Sequence, residues 1–316
     1  MRVKYSVVIP LYNKEDCIEK TIQSVLAQTN SDYEIVVIDD GSVDQSADVV
    51  KAINDERIRL ISQKNQGVSA ARNTGISNSN GKYVCFLDAD DLWMPDFLET
   101  VDQLIMDFPD AKMFCPSYQV AYGNRMVLPK WKSVDLVSDS LVEDFFEMAT
   151  GPFWVCHSSC AVVERTALED MEYWYVVGEK VYEDFDFWLR LGTRIKVAHS
   201  NKVCATYIRI TNDNARITHS KKVVFSEAYM KTLNTFLTNN NLTRQQLLWI
   251  REIKDRRMVP YIFSLVCTRQ RDASKHVLKE WKPVNAYKKY KLALSVVSRL
   301  PYFMIKAIQL LRYYIF

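Results

Sequence analysis

Three carboxylates close the segment KYVCFLDADDLW, directly after a run of uncharged residues. The run is typical of a buried strand, and Asp88, Asp90 and Asp91 follow it within four positions. Carboxylate oxygens with no histidine or cysteine next to them suit hard cations such as Mg²⁺ or Mn²⁺. We therefore expect a divalent cation here, with phosphate oxygens as its other ligands. The alternative is that Asp90 or Asp91 caps a helix beginning at Pro95.

Two further polar groups suit a nucleotide. Asp39 and Asp40 end the apolar segment YEIVVIDD, and a fixed carboxylate can accept the imide N–H of a uracil ring. Because Gly41 follows, a simple Asp-Gly turn is the alternative. The guanidinium of Arg72, in SAARNTG, can donate to base carbonyl or phosphate oxygens, although a lone arginine on a helix more often faces solvent.

The elements that position these residues alternate along the first third of the chain. Apolar runs predict strands at 5–10, 33–40, 57–63 and 82–90, and helical patterns fall at 13–28, 46–56 and 68–79, the first capped by Asn13. This order predicts an α/β fold with a mainly parallel sheet sandwiched by helices. In such sheets ligands bind outside the carboxyl ends of the strands, which is where Tyr12 and the carboxylates fall.

The remaining sequence is less regular. HSSCAVVER and 202–211 have strand-like patterns, a helix is predicted from about Glu183, and only helices are predicted beyond about residue 220. With 316 residues, 48% hydrophobic and 25% charged, the composition is that of a soluble globular protein. A net charge of +3 is too small to indicate nucleic acid. An apolar start that stops at Pro10 predicts no signal peptide, and the seven cysteines predict a reducing cytoplasm.

A resemblance to a known family covers much of this pattern. The chain resembles the family 2 glycosyltransferases, which have the GT-A fold, in VVIPLYNKEDCIEKTIQSVLAQT, EIVVIDDGSVDQS, NQGVSAARNTGI and GKYVCFLDADDLW. The similarity is close over residues 5–105 and continues more weakly to about 215. It implies a GT-A catalytic domain at 1–215, with a nucleotide-binding half at 1–105 and an acceptor half at 106–215, and a helical C-terminal region at 216–316.

The resemblance also implies roles for the residues of the first half. In such enzymes the positions of Pro10 and Tyr12 lie along the base and ribose, and Asp39 or its neighbour Asp40 binds uracil. The position of Arg72 lines the nucleotide pocket, and that of Asp88 lies near the ribose. The position of Asp90 binds the metal on the diphosphate, and that of Asp91 contacts the donor sugar or metal-bound water. The implied donor is a UDP-sugar, and the implied cofactor is Mn²⁺ or Mg²⁺.

In the second half, YEDFDFWLRL resembles the Glu-Asp segment of the family. Asp184 matches the catalytic base of an inverting single displacement, and Glu183 matches a residue that places the acceptor or orients its loop. Trp154 and His157 fall in the region that faces the acceptor. Without the resemblance, Asp184 is interpreted as a charge at a helix N-terminus. For Trp154, packing in the core is an equal alternative to facing the acceptor.

Two segments depart from the family pattern. The bulky YWYVVGEKVYED stands where relatives often have a glycine-rich segment, which alters the expected acceptor pocket. Thr211 stands where many relatives have a histidine, so that histidine's contact with metal or phosphate is in doubt. Arg209 and His199 are weak candidates to replace it.

The C-terminal tail, Lys282 to Phe316, has seven basic residues and no acidic one. Charged residues and a proline interrupt its apolar run before it reaches the roughly 18 residues that a spanning helix needs. Its composition suits a helix lying in the headgroup layer, at the inner face of the cell membrane where a lipid-linked acceptor would lie. A helical subdomain packed on the catalytic domain, or a homo-oligomer interface, is the alternative.

The resemblance implies an inverting hexosyl- or N-acetylhexosaminyl-transferase of polysaccharide biosynthesis. It would use a nucleotide sugar and a hydroxyl of a glycan or lipid-linked glycan, in the cytoplasm or associated with its membrane. One alternative is phosphoryl transfer with Asp39 or Asp88 as an aspartyl-phosphate nucleophile, although the Ser or Thr and the Lys that this chemistry needs cannot be placed. The other is a protein that kept the fold and only binds sugar, against which Asp184 argues.

Overall fold

The computed structural model describes residues 3–209, 225–302 and 304–305. The chain divides into two compact units, Met1–Asn212 and Asp213–Phe316. The sheet and all predicted site residues lie in the first unit. Thr211 and residues 306–316 of the predicted tail lie outside the described residues.

The first unit combines strands and helices over its described residues. The strands are β1 (Tyr5–Leu11), β2 (Tyr33–Asp39), β3 (Ile58–Ser62), β4 (Tyr83–Phe86), β5 (Leu92–Trp93), β6 (Met113–Tyr122), β7 (Arg125–Val127), β8 (Ser140–Leu141), β9 (Val162–Glu164) and β10 (Val197–Ile208). The helices are α1 (Ile18–Leu26), α2 (Ser46–Ala52), α3 (Val68–Ser77), α4 (Phe97–Asp107), α5 (Phe145–Ala149), α6 (Arg165–Glu169) and α7 (Glu183–Gly192). The predicted alternation up to β4 is therefore confirmed.

The strands form one mixed sheet in the order β3-β2-β1-β4-β9-β6-β10-β5. β1 to β4 are parallel, with Tyr5 of β1 opposite both Tyr33 and Tyr83. β9 is antiparallel to β4 and β6, whereas β6 and β10 are parallel to each other. β5 and β8 pair antiparallel with β10, and β7 pairs antiparallel with β6. The antiparallel pairings are short and the parallel pairings contain most of the paired residues, so this mixed α/β sheet confirms the predicted fold class.

One expectation and one alternative about helix starts were wrong. Asn13 does not cap α1, which begins at Ile18; its side chain instead accepts a 2.9 Å hydrogen bond from the N–H of Val43. The helix after the acidic cluster begins at Phe97 and has Asp96 at its N-cap position. The carboxylates of the cluster are therefore not the caps of that helix, and other contacts must account for them.

Close packing of α3 on β1 positions the most buried cation of the site. A Cβ at Gly75 would lie 2.2 Å from a methyl carbon of Val8, so only glycine fits there. The helix is preceded by Gly67 at a φ of 90°, a conformation that glycine adopts without strain. Arg72 lies between these two glycines and is consequently held against the sheet.

The second unit contains α8 (Glu227–Leu237), α9 (Arg244–Cys267), α10 (Arg271–Glu280) and α11 (Lys288–Val297). Its apolar core joins α9 to α10 and α11 through Met258, Ile262, Leu278, Trp281 and Leu294. The predicted helices are therefore confirmed over the described part of this region. Among the helices that the structure describes, none is both long and apolar enough to cross a membrane.

Candidate functional site

The end of β2 places two adjacent carboxylates in different surroundings. Asp40 is buried and accepts hydrogen bonds from the backbone N–H groups of Gln66 (3.0 Å) and Gly67 (2.7 Å). The side-chain amide of Gln63 donates a third bond to it, at 2.7 Å. Asp40 therefore holds the loop that leads into α3, which leaves Asp39 as the better candidate for a base contact.

Asp39 lies next to an exposed aromatic side chain. It pairs in register with Leu11 across β1 and β2, and Tyr12, which directly follows Leu11, is 47% exposed. One oxygen of Asp39 accepts a 3.0 Å hydrogen bond from the N–H of Ser42. Pro10, the other predicted base contact, is partly buried at the end of the same strand. A carboxylate and an aromatic ring at neighbouring strand ends can accept from and stack on a planar base.

Arg72 joins the two sequence halves of the first unit. Its guanidinium lies 2.8 Å from a carboxylate oxygen of Asp88 and 3.4 Å from one of Glu183. It also lies 5.2 Å from the ring centre of Tyr175. Burial by itself lowers the pKa of Arg72, but the charge of Asp88, followed by Tyr175 and Glu183, raises it overall. One buried cation therefore neutralises a carboxylate from each half.

Asn73 makes a second link that the sequence analysis missed. Its side-chain amide donates to the carbonyl of Tyr175 at 2.9 Å, and its side-chain oxygen accepts from the N–H of Tyr175 at 3.0 Å. The ring of Tyr175 stacks on Phe187 of α7, with centres 4.1 Å apart. The neighbouring residues Arg72 and Asn73 thus both tie α3 to the Glu-Asp segment. In the sequence, the position of Asn73 directly after Arg72 in AARNTG was the only feature that could have drawn attention to it.

Asp90 forms an ion pair with Lys14, with 3.0 Å between the ammonium nitrogen and a carboxylate oxygen. The two side chains are 21% and 23% exposed, so solvent screens the pair only in part. The backbone N–H of Lys14 donates to the hydroxyl of Ser46 at 2.7 Å, which ties the loop between β1 and α1 to the start of α2. The sequence analysis missed Lys14 because a lysine near a helix start is ordinary.

Asp91 is fully buried, and both of its oxygens accept hydrogen bonds inside the protein. The hydroxyl of Ser159 donates at 2.5 Å and the backbone N–H of Ile208 at 2.7 Å. Burial, followed by the charges of Asp90 and Asp88, raises the pKa of Asp91 well above its ordinary value. Asp91 therefore joins β10 to the loop after β4, a different role from the sugar or metal-water contact that the resemblance implied.

Glu183 and Asp184 open α7, and Glu183 meets the buried arginine. The preceding Tyr182 has a φ of 62°, which turns the chain sharply into the helix. Burial, followed by the charge of Asp184, raises the pKa of Glu183 to about 7, although Arg72 lowers it. Asp184 accepts a 2.8 Å hydrogen bond from the N–H of Phe185. The predicted base thus directly follows a carboxyl group that is fixed against Arg72.

His157 lies near the same carboxylates. Its ring centre is 4.3 Å from that of Tyr207 and 5.1 Å from that of Tyr118. Burial lowers the pKa of His157, and the charges of Asp88 and Asp184 raise it less, so the ring is neutral at neutral pH. A neutral imidazole beside the acidic cluster can donate one hydrogen bond to a sugar hydroxyl.

Trp154 is a core residue in the structure. Its indole is buried and meets the ring of Phe185 edge to face, with centres 4.7 Å apart. The indole N–H donates to the carbonyl of Ala149 at 3.1 Å. The packing alternative for Trp154 therefore fits these contacts better than an acceptor contact does.

The two weak substitutes for the missing histidine have other partners. His199 is buried, with Nδ1 2.8 Å from the carbonyl of Cys115, and burial lowers its pKa to about 4. Arg209 donates to the hydroxyl of Tyr122 at 2.8 Å. His199 is therefore a neutral core residue rather than a ligand for metal or phosphate.

The model of the family described as glycosyl transferase family 2 matches residues 6–171 of this chain. The matched region is just over half of the chain and includes β1 to β9, hence Asp39, Arg72 and the whole acidic cluster. This chain belongs to glycosyl transferase family 2. The match ends before the Glu-Asp segment, so the contacts of Arg72 are what connect that segment to the family region.

Relatives of this family 2 chain include far longer proteins. The chain spans 15–16% of the length of the first three curated relatives that it matches, which are 43–47% identical over 30–33% of this chain. The Escherichia coli protein UDP-Glc:alpha-D-GlcNAc-diphosphoundecaprenol beta-1,3-glucosyltransferase WfaP is 26% identical over 231 residues. That match covers 72% of this chain and 86% of WfaP.

Solved structures show the fold of the family 2 chain. TarS residues 1–349 of S. aureus, in complex with UDP-GlcNAc, superimpose with a TM-score of 0.68 at 17% identity, covering 96% of this chain and 90% of that one. The mannosyltransferase PcManGT of Pyrobaculum calidifontis, in complex with GDP-Man and Mn²⁺, gives a TM-score of 0.56 at 15% identity, covering 96% and 88%. These matches confirm the predicted GT-A fold.

Within the acidic cluster, Asp90 is the carboxylate that suits a divalent cation shared with a ligand. Over the described residues, no group of three or more His, Cys, Asp or Glu side chains is arranged to hold a metal ion. Mg²⁺ at phosphate sites is commonly bound by one or two carboxylates and completed by phosphate oxygens and water. Asp90, which is partly exposed and oxygen-only, offers that kind of ligand, whereas the buried Asp91 does not.

Proposed function

We propose that this protein is an inverting glycosyltransferase that moves a hexose or N-acetylhexosamine from UDP to a hydroxyl group. The acceptor in this proposal is a glycan or a lipid-linked glycan. Family membership and the GT-A fold support sugar transfer from a nucleotide. The name of WfaP, with UDP-Glc and a diphosphoundecaprenol acceptor, and the UDP-GlcNAc complex of TarS support the narrower donor and acceptor classes.

The observation that carries the proposal is the double ion pair of Arg72. A base for the acceptor has to lie close to the donor's diphosphate, because both act on one anomeric carbon. Arg72 contacts Asp88 of the acidic cluster and Glu183, which directly precedes Asp184. The two carboxylate segments lie 95 positions apart in sequence, counted from Asp88 to Glu183. Their contact through one guanidinium supports Asp184 as a general base that would lie within reach of a nucleotide bound at the strand ends.

The proposed reaction is a single displacement. Asp184 takes the proton of the acceptor hydroxyl while that oxygen bonds to the anomeric carbon. The bond between the anomeric carbon and the diphosphate breaks, and its electron pair leaves with UDP. Attack from the face opposite the diphosphate inverts the configuration. Asp39 and Tyr12 would bind the uracil, Asp88 would lie near the ribose, and His157 would donate to a sugar hydroxyl.

Asp90 would hold the divalent cation, with Lys14 beside it. The cation, Mn²⁺ or Mg²⁺, would stabilise the negative charge that grows on the departing diphosphate. The ammonium group of Lys14 lies 3.0 Å from the carboxylate of Asp90. Lys14 therefore adds a second positive charge where the diphosphate would bind.

The test is UDP release from UDP-glucose and UDP-N-acetylglucosamine, compared with GDP- and dTDP-sugars, in Mn²⁺ or Mg²⁺. Asp184→Asn should keep UDP–Mn²⁺ affinity within about twofold and lower turnover by about 10²- to 10⁴-fold, the usual contribution of a general base. Asp170→Asn, the same change at an exposed carboxylate, should alter neither quantity. Unchanged turnover of Asp184→Asn, or no preference for uridine nucleotides, would refute the proposal.

A further inference from the structure

Helix α11 exposes aliphatic side chains that the second unit does not bury. Leu292 is 69% exposed and Val296 is 55% exposed. They are four residues apart and therefore lie on the same face of the helix. The opposite face supplies Leu294, which is 6% exposed and belongs to the apolar core of the unit. The exposed face is consequently not needed for packing within the unit.

Basic residues flank these aliphatic side chains at both ends. Lys288 and Lys289 are exposed and precede Leu292 by four and three positions, which places them on the same face. Arg299 is also exposed, and its N–H donates to the carbonyl of Val296 at 3.0 Å, so the chain is still wound at that point. From Lys282 to the end of the sequence there is no acidic residue.

We propose that this α11 face, comprising Lys288, Lys289, Leu292 and Val296 together with Arg299 just after the helix, binds the surface of a bilayer rich in anionic lipid. Aliphatic side chains would enter the boundary of headgroups and acyl chains, while the flanking cations meet lipid phosphates. The helix is ten residues long, too short to span, so it would lie in the plane of the interface.

A second copy of the chain fits this face less well than lipid does. In a two-fold dimer the same face of each copy would meet, which brings lysine toward lysine or arginine. The face has no acidic side chain to neutralise them. Like charges facing each other across an interface weaken it, whereas an anionic headgroup layer attracts every cation of the face.

The inference does not depend on the proposed transfer reaction, because lipid binding is measured without donor or turnover. The full chain is floated with vesicles of 70% phosphatidylcholine and 30% phosphatidylglycerol, and with vesicles of phosphatidylcholine alone. We expect binding to the anionic vesicles that falls with added salt. Because each basic residue near an anionic surface contributes about fivefold, Lys288→Gln with Lys289→Gln should weaken binding by about 25-fold.

Two further double variants complete the experiment. Leu292→Gln with Val296→Gln should also reduce binding, since glutamine keeps the helix but removes the aliphatic contact. The matched control is Lys275→Gln with Lys279→Gln, the same charge change at exposed positions of α10, which should lower binding by threefold or less. Thermal unfolding of each variant checks that the fold is retained.

Three results would overturn the proposal. The first is absence of binding to anionic vesicles, or equal binding to neutral ones. The second is an equal loss of binding in the α10 control and in the lysine pair of α11. The third is a wild-type dimer that Leu292→Gln with Val296→Gln converts to a monomer while vesicle binding is unchanged, which would assign the face to a second copy of the chain.

Discussion

Replacing Glu183 by glutamine isolates the effect of a buried carboxyl group on stability. Burial, followed by the neighbouring charge of Asp184, raises the pKa of Glu183 from 4.5 to about 7 even though Arg72 lowers it. Glutamine has nearly the same shape and keeps an oxygen that can accept from Arg72, but it does not ionise. The variant therefore removes the proton equilibrium, and with it the negative charge that pairs with Arg72 when Glu183 is ionised.

The sign of the effect follows from where the proton is bound. The folded-state pKa is higher than the unfolded one, so the folded protein holds more protons between pH 4.5 and about 7. The stability that Glu183 contributes is therefore complete below pH 4.5 and is lost as the pH rises through about 7. At 1.36 kcal/mol per pKa unit, the loss amounts to about 3 kcal/mol. Relative to wild type, Glu183→Gln should gain up to this amount between about pH 5 and pH 8.

The assay is hydrogen exchange in urea, read by mass spectrometry on peptides from β1 and β2, without nucleotide or metal. These peptides report the unfolding of the first unit alone, which matters because the chain has two compact units. Glu169→Gln, at an exposed carboxylate, is the control and should show no pH-dependent difference from wild type. The stability difference between Glu183→Gln and wild type is compared at about pH 5 and pH 8. A difference that is equal at these two pH values, or a variant that is less stable than wild type at pH 8, would refute the reasoning.

Three further predictions concern single contacts. Asp40→Asn should lower the free energy of unfolding by about 2–3 kcal/mol, measured in urea, because it weakens charge-assisted hydrogen bonds to the loop. Asp39→Asn should lower it by about 1 kcal/mol or less and should mainly weaken UDP binding, measured by calorimetric titration. The reverse pattern would exchange the roles of the two residues. Gly192→Ala should destabilise the first unit by about 1–3 kcal/mol, because the new Cβ would lie 2.1 Å from the ring of Phe145. In a double-mutant cycle, the loss of stability from Gly192→Ala should be smaller in a Phe145→Leu background. Equal losses in both backgrounds would contradict this explanation. Lys14→Met should strengthen Mn²⁺ binding by up to about fivefold in the absence of nucleotide, because the ammonium group of Lys14 competes with the metal for the carboxylate of Asp90. Binding is measured by paramagnetic resonance, with Lys14→Arg as the control. Equal affinities in wild type, Lys14→Met and Lys14→Arg would count against this competition.

Local patterns were sufficient for the first four strands of the sheet. β1, β2 and β4 are buried along almost their whole length, so their residues form apolar runs that no loop or surface helix would tolerate. The ten-residue β6 was not predicted, because it contains Pro116 and several polar residues. Its last residues pair with the nearby β7, but along the rest of its length its partners are β9 and β10, which come much later in the chain. Pairing partners at that separation leave no local pattern.

The residues of the candidate site were likewise predicted only in part from the sequence. Family resemblance and residue type predicted carboxylates at the strand ends and Arg72 among them, and the structure brings Arg72 to both Asp88 and Glu183. Lys14 and Asn73 were missed, because their partners lie 76 and 102 positions away. A side chain whose only distinguishing feature is a distant partner cannot be recognised from its neighbours in sequence.

By itself, the sequence determined that acidic groups gather where parallel strands end, since burial of the strands makes their ends the first positions that tolerate charge. Only the tertiary structure decided which of these carboxylates accept hydrogen bonds from several donors inside the protein. Asp40 and Asp91 are buried and bonded to backbone N–H groups from other segments, whereas Asp90 remains partly exposed beside Lys14. The donors to Asp91 come from β10 and from the segment before β9, and chain folding alone brings them together.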